Sequence, residues 1–275
     1  MRAVLDDHAA GWPLLLAIAF IGLELIYGRL AGHEDIYDPA ETLASFGVAI
    51  GNVIAKALTS GVAAFPLVFA YQHRLFEISR ESFWSWVMLF MAVEFCYYWF
   101  HRASHRIRWL WATHAVHHSA TRFNLSAGIR LGWTGQLTGA FLFFLPLAWI
   151  GFQPLAIMLL LGLGLLYQFF LHTGAPVHLG PLEWVLNTPR HHRTHHAVND
   201  SCLDRNYGSV LIVFDLMFGT FAEAPRDEPL QFGLRGRLPT NNPFRIVFGE
   251  WIALAGDAWR APGVRRKLRL LFGPP

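Results

Sequence analysis

Long apolar runs recur along this chain, and they restrict its fold more than any other feature. "GWPLLLAIAFIGLELIYGRL" (11–30) is long enough to span a bilayer and carries one interior acid, Glu24. "ETLASFGVAIGNVIAKALTSGVAAFPLVFAY" (41–71) is longer and is interrupted by Lys56 and Gly61. It is compatible with crossing twice, crossing once, or dipping in and returning. "FWSWVMLFMAVEFCYYWF" (83–100) is aromatic at both ends, as interfacial belts are. "LTGAFLFFLPLAWIGFQPLAIMLLLGLGLLYQFFL" (137–171) reads as two helices with a turn near Gly151–Pro154. Runs of ~18 apolar residues recurring this often argue against a single soluble helical core. The expected fold is an all-α, integral-membrane helical bundle.

Composition agrees: 54% of residues are hydrophobic and 15% charged. Arg2 is followed by Asp6 and Asp7, a poor start for a secretory signal, and no small-residue cleavage site closes the first apolar run, which is therefore expected to be retained. Cys96 lies in an apolar helix and Cys202 in a polar loop, spaced neither as a disulfide framework nor as a zinc pair. The net charge is +3, and "RRKLRLLF" (265–272) combines basic and apolar residues in the manner of a segment lying on an anionic membrane face. No extended basic groove accompanies it, so nucleic-acid binding is not expected. Arginine is dense in 102–130, and by the positive-inside rule that region and the tail are cytoplasmic. The polar blocks 101–136 and 172–248 flank the 137–171 hairpin, so both face the same compartment and their histidines can meet.

The chain has 14 histidines, and their spacing is ordered. "HRASH" sets His101 and His105 four apart, "HAVHH" sets His114, His117 and His118 at i, i+3 and i+4, and "HRTHH" repeats that pattern with His192, His195 and His196. On a helix these positions fall within an arc of about 100°, so each cluster presents its rings to one side, as metal coordination requires. Starting the pattern at His191 would demand a ligand at Thr194, so His191 is the odd one out, a donor behind the ligands or a solvated residue. Eight clustered histidines are too many for one ion and about right for two. Carboxylates are almost absent from the clusters, unlike the Glu-x-x-His sites of soluble di-iron bundles. His8, His33, His73 and His178 stand alone and are read as ordinary residues.

The stretches "EFCYYWFHRASHRIRWLWATHAVHHSATRFN" (94–124), "YQFFLHTG" (167–174) and "LNTPRHHRTHHAVNDSCLDRNYGSVLIVFDLMFGTF" (186–221) resemble the fatty acid hydroxylase superfamily of integral-membrane di-iron enzymes. The wording is most similar to its bacterial sterol desaturase-like and alkylglycerol monooxygenase-like branch. The resemblance implies a single membrane-embedded domain over 1–275, with membrane helices in 1–93, the histidine-cluster region in 94–221 and a cytoplasmic tail in 222–275. It implies that His101, His105, His114, His117, His118, His192, His195 and His196 bind two irons in a cytoplasmic histidine-rich cap. It adds His172, which spacing alone leaves as a lone histidine. Glu94, where many relatives carry Asp, lies on the histidine face of its helix. With His191, Asn206 and Asp215 it is a candidate to orient ligands from behind, or to serve in loop capping. The implied activity is O2-dependent hydroxylation or desaturation of a bilayer lipid, in a bacterial inner membrane or its equivalent. No haem-binding domain is visible, so a separate electron donor is expected. "AGIRLGWTG" departs from the His-Pro found in several branches, which leaves the substrate open.

Three other readings fit less of the sequence. A membrane zinc hydrolase would use three histidines and a carboxylate base and leave the rest idle. A metal transporter would favour polar ligands inside the spans. A haem protein needs only one or two axial residues.

Overall fold

The computed structural model describes residues 12–275; His8 and the acidic N-terminal residues lie outside them. Eleven α-helices follow one another among the described residues. They are α1 (Trp12–Leu30), α2 (Pro39–Gln72), α3 (Phe83–Arg106), α4 (Arg108–His118), α5 (Leu125–Gly128), α6 (Leu145–Ile150), α7 (Pro154–Leu171), α8 (Pro189–His196), α9 (Val213–Phe218), α10 (Pro243–Arg260) and α11 (Gly263–Phe272). The described residues form no strand, only two isolated antiparallel bridges, Leu186 with Leu211 and Ala197 with Phe232. Among the described residues three helices are long and apolar enough to cross a membrane: α2, α3 and α7.

The ambiguous stretch 41–71 is one helix of 34 residues, α2, which continues through Pro66. At ~1.5 Å per residue it is ~51 Å long, well beyond the ~30 Å of a hydrocarbon core. Its start is fixed by Asp38, whose carboxylate accepts from the Glu41 N–H at 2.7 Å, and by Pro39 in the first turn. The surplus length of its N-terminal part packs into the cap, where Ala44 and Val48 meet Val116 of α4 and Ile246 and Val247 of α10. Its C-terminal part joins the bundle core, where Leu67 meets Leu89, Val93 and Tyr97 of α3, Leu147 of α6 and Ile157 of α7.

The descending arm of the 137–171 hairpin differs from the expected helix. It is a 3-10 turn over Ala140–Phe143 followed by the six-residue α6, too short to cross. Gly139 and Gly151 hold φ of +83° and +135°, which interrupt any continuous helix. At Gly151 a Cβ would stand 2.2 Å from the Phe76 carbonyl oxygen. That close approach lets Leu75 and Phe76 donate to the carbonyls of Trp149 and Ile150. The chain leaves the cap at Thr138, whose carbonyl accepts from Trp109, and returns to it along α7 at His172.

The charge reading of 102–130 also changes in detail. Arg130 is buried, donating to Ser45 Oγ at 2.8 Å, Ser119 Oγ at 3.1 Å and the Glu41 carbonyl at 3.0 Å. Its cation joins α2 to the cap and does not face solvent.

The seam between α2 and α10 yields a stability prediction. A Cβ at Gly51 would lie 2.1 Å from the Trp133 ring, whose indole donates to the Val48 carbonyl at 2.8 Å. Gly61 has open space around it. Gly51→Ala is expected to destabilise the protein by about 1–3 kcal/mol through overpacking. Gly61→Ala should be neutral or stabilising, because Ala favours a helix interior. Thermal unfolding in detergent measures both.

Candidate metal centre

Nine imidazoles converge where the C-terminal ends of α3 and α7 meet α4 and α8. They form two groups: His101, His105, His114, His118 and His195 in one, His117, His172, His192 and His196 in the other. Within each group the ligand nitrogens lie within 4.8 Å of one another. All nine candidate ligands from the sequence are therefore brought together. Only their division was not foreseen. From α4, the i and i+4 rings (His114, His118) enter the first group and the i+3 ring (His117) the second. From α8, His192 and His196 enter the second group and His195 the first. The two helices thus exchange one ring each, and His118 stacks on His196 at 4.2 Å across the divide.

The nitrogens fit a metal. His101 and His114 approach Nε2 to Nε2 at 3.0 Å, and His114 and His118 at 3.2 Å. His172 lies 3.1 Å from His117, 3.2 Å from His196 and 3.1 Å from His192, again between Nε2 atoms. The other ring nitrogen, Nδ1, donates to a backbone carbonyl in four cases. His101 donates to Tyr207 at 2.8 Å, His117 to Arg130 at 3.2 Å, His172 to Gln168 at 2.8 Å and His195 to Arg205 at 2.7 Å. A neutral ring that donates through Nδ1 has only a lone pair at Nε2. Lone pairs ~3 Å apart repel unless a cation lies between them, and nitrogens ~2.1 Å from one ion stand ~3.0–3.4 Å apart. The buried Nε2 atoms of His105 and His195 have no hydrogen-bond partner, as ligands awaiting a metal would not.

The residues expected behind the ligands act on the backbone and not on the rings. Glu94 accepts from the N–H groups of Val210 and Leu211, both at 2.9 Å. Asp215 accepts from Tyr207 and Gly208 N–H, both at 2.7 Å, and from Thr220 Oγ1 at 2.6 Å. Asn206, at φ +56°, donates to the carbonyls of His191 and Ala222. Together they shape the 204–211 loop, which delivers the Arg205 and Tyr207 carbonyls to His195 and His101. His191 is buried against Phe221, outside both groups.

Other contributors escaped the sequence reading. Glu24, noted only as an interior charge of α1, accepts from Leu125 N at 2.9 Å, Thr173 Oγ1 at 2.6 Å, Gly174 N at 2.7 Å and Tyr37 OH at 2.5 Å. It thereby clamps the two residues that follow His172. Gly128 packs against the His172 ring so closely that a Cβ would lie 3.1 Å from its Nδ1. Phe123 stacks on the same ring at 5.5 Å. A cavity of about 490 Å³ opens onto His105, His118, His195 and His196, with Trp111, Leu203 and Leu234 in its walls. Asp204 also lines it, held by Arg106 at 2.5 Å.

Comparison with known proteins agrees with this geometry. Residues 86–220 match the fatty acid hydroxylase family model. The human alkylglycerol monooxygenase is 40% identical over 203 residues, covering 74% of this chain and 45% of the relative. That of Danio rerio is 34% identical over 259 residues, covering 94% of this chain and 57% of the relative. Ornithine lipid hydroxylase OlsE of Rhizobium tropici is 29% identical over 249 residues, covering 82% and 72%. The chain spans about half the length of the alkylglycerol monooxygenases it matches. No solved structure matches. The chain belongs to the fatty acid hydroxylase superfamily, and it is an integral membrane protein.

Burial holds His117 and His195 down at about 4 and pushes His114, His118, His172, His192 and His196 well below the usual imidazole value. An imidazole of the unfolded chain titrates near ~6.5. Between these values the unfolded state binds more protons, so metal-free protein should lose stability as pH falls from ~6.5 towards ~4. Melting of the metal-free protein in detergent across this range should show a steep fall below ~6.5. A flat profile would contradict the neutral, buried cluster.

Proposed function

We propose that this protein is a di-iron, O2-dependent lipid hydroxylase that inserts oxygen into an unactivated C–H bond of a bilayer lipid. The observation that carries the reading is the convergence of nine imidazoles into two adjoining groups beside a cavity. The named activities of the relatives, alkylglycerol monooxygenase and ornithine lipid hydroxylase, support hydroxylation over desaturation and make a glyceryl ether or another polar-headed lipid the first substrate class to test. Two irons, when bound, would supply dioxygen activation and hydrogen abstraction, with electrons from a separate donor.

The chain's own residues do the remaining work. His101, His105, His114, His118 and His195 would hold one ion, and His117, His172, His192 and His196 the other. The carbonyls of Arg130, Gln168, Arg205 and Tyr207 hold the Nδ1 protons, so each of those rings keeps its Nε2 free. The cavity beside the rings has Trp111, Leu203 and Leu234 on its apolar part and Arg106, Arg108, Arg235 and Arg237 among its charged residues, a lining suited to a lipid with a polar head. Glu94, Asp215 and Asn206 keep the carbonyl-bearing loop in place.

A zinc hydrolase would leave most of the cluster without a task. The carboxylates that line the cavity, Asp204 and Glu250, are already engaged by Arg106 and Arg237. The arginines of 102–130 and of α11 support a histidine end on the cytoplasmic side of a bacterial inner membrane or its equivalent. On the same reading 1–93, 94–221 and 222–275 are parts of one membrane-embedded domain, with α10 packed against α4 and α2.

The test uses full-length, iron-loaded protein in nanodiscs containing an alkylglycerol, a chemical reductant and 18O2. The expected product carries one labelled oxygen; His195→Ala abolishes it and His191→Ala retains most of it. Label absent from every lipid offered, in protein holding two irons, would count against the hydroxylase.

A further inference from the structure

The C-terminal helices carry an apolar surface that the histidine centre does not use. On α10, Phe244, Ile252, Ala255 and Trp259 are all exposed and, at about 100° per residue, fall within an arc of about 80°. On α11, Val264, Leu268 and Phe272 are exposed at four-residue intervals along one face. Trp259 and Val264 are 86% and 72% exposed, values that a helix docked in a soluble cap would not leave on large apolar residues.

Charge completes the pattern. Arg265, Lys267 and Arg269 border the α11 stripe and Arg266 lies on the opposite face; α11 contains no acid, and none of the four forms an ion pair among the described residues. The nearest acid along the chain, Asp257, is already engaged by Arg108 at 2.5 Å and Arg260 at 2.8 Å.

The position of this surface points to what covers it. Phe244 packs on Trp133 at 5.4 Å, and Trp133 is hydrogen-bonded to Val48 of α2. The next turns of α2 begin its exposed apolar band with Ile50, Val53, Ile54 and Leu58. The α10 stripe therefore starts where α2 meets the hydrocarbon, continuous with a face already turned to lipid.

We propose that α10 and α11 form a foot lying in the headgroup layer of an anionic leaflet. Its Phe244–Trp259 and Val264–Phe272 stripes sit among the acyl chains, its bordering cations Arg265, Lys267 and Arg269 sit on lipid phosphates, and Arg266 faces water above them. A second cavity, lined by Leu238, Arg245 and Ile252, shares Gly233, Leu234, Arg237 and Glu250 with the histidine-lined cavity. The foot sets this connected opening at headgroup level. The surface is defined without reference to the metal, so it stands or falls separately from the hydroxylase reading.

Spin labels test it in the full chain, in a Cys96→Ser, Cys202→Ala background reconstituted into nanodiscs. Labels at 252, 259 and 268 should be reached by dissolved O2 and shielded from a water-soluble nickel complex, with a label at 266 showing the opposite. Shielding should be greater in discs containing phosphatidylglycerol than in pure phosphatidylcholine. Replacing Arg265, Arg266, Lys267 and Arg269 by Gln should remove that difference. Nickel access at all positions would overturn the proposal. So would protection from both reagents, the signature of a second copy or another protein on this face. Equal immersion in both lipids would overturn the anionic assignment.

Discussion

Nine imidazole rings crowd their nitrogens together in a buried shell, an arrangement that bound cations would stabilise. His101, His117, His172 and His195 direct Nδ1 outwards to carbonyls, and seven of the nine rings bring Nε2 to within 3.0–3.2 Å of a neighbour's Nε2. Protonation would relieve the lone-pair repulsion but would place several charges together in a buried site, and burial depresses exactly that option in the α4 and α8 rings. Bound metal ions would supply positive charge there without that cost. The surrounding structure can be understood as the means of holding these rings against their mutual repulsion until the ions arrive.

That holding is done largely by backbone. Arg130, Gln168, Arg205 and Tyr207 contribute carbonyls, and each carbonyl is itself fixed from further out. Asp215 grips the Tyr207 and Gly208 N–H groups, Glu94 those of Val210 and Leu211, and the buried Arg130 side chain is tied to α2. Glu24 performs the equivalent task from α1, since it binds Thr173 and Gly174 directly after His172. A carboxylate in an apolar helix is costly unless satisfied, and here four donors satisfy it. The membrane helices and the cap are thus joined through polar contacts at the level of the metal centre.

The sequence made parts of this legible and hid others for definite reasons. Histidine spacing of i, i+3, i+4 survives in any helix, so the α4 and α8 clusters could be seen directly. Their division between two groups could not, because it depends on how α4 and α8 face each other. His172 stands alone in sequence and was reached only through family resemblance. The carbonyl acceptors left no trace, since every residue carries one. Glu94, Asn206 and Asp215 stand out in the sequence as candidates to orient ligands or cap loops, yet their partners are N–H and C=O groups of a loop whose path the sequence does not reveal. The irregular arm around α6 was hidden in a different way: a continuous apolar run looks helical whether or not positive-φ glycines break it.

The central claim is that the two histidine groups hold two separate ions through rings exchanged between α4 and α8. Anaerobic ferrous loading of the detergent-purified full chain, with iron stoichiometry and Mössbauer spectra, tests it most directly. The account predicts two coupled irons per chain, unchanged in His191→Ala, with His114→Ala and His172→Ala each depleting a different site. A single ion per chain, or iron uptake indifferent to both variants, would contradict it.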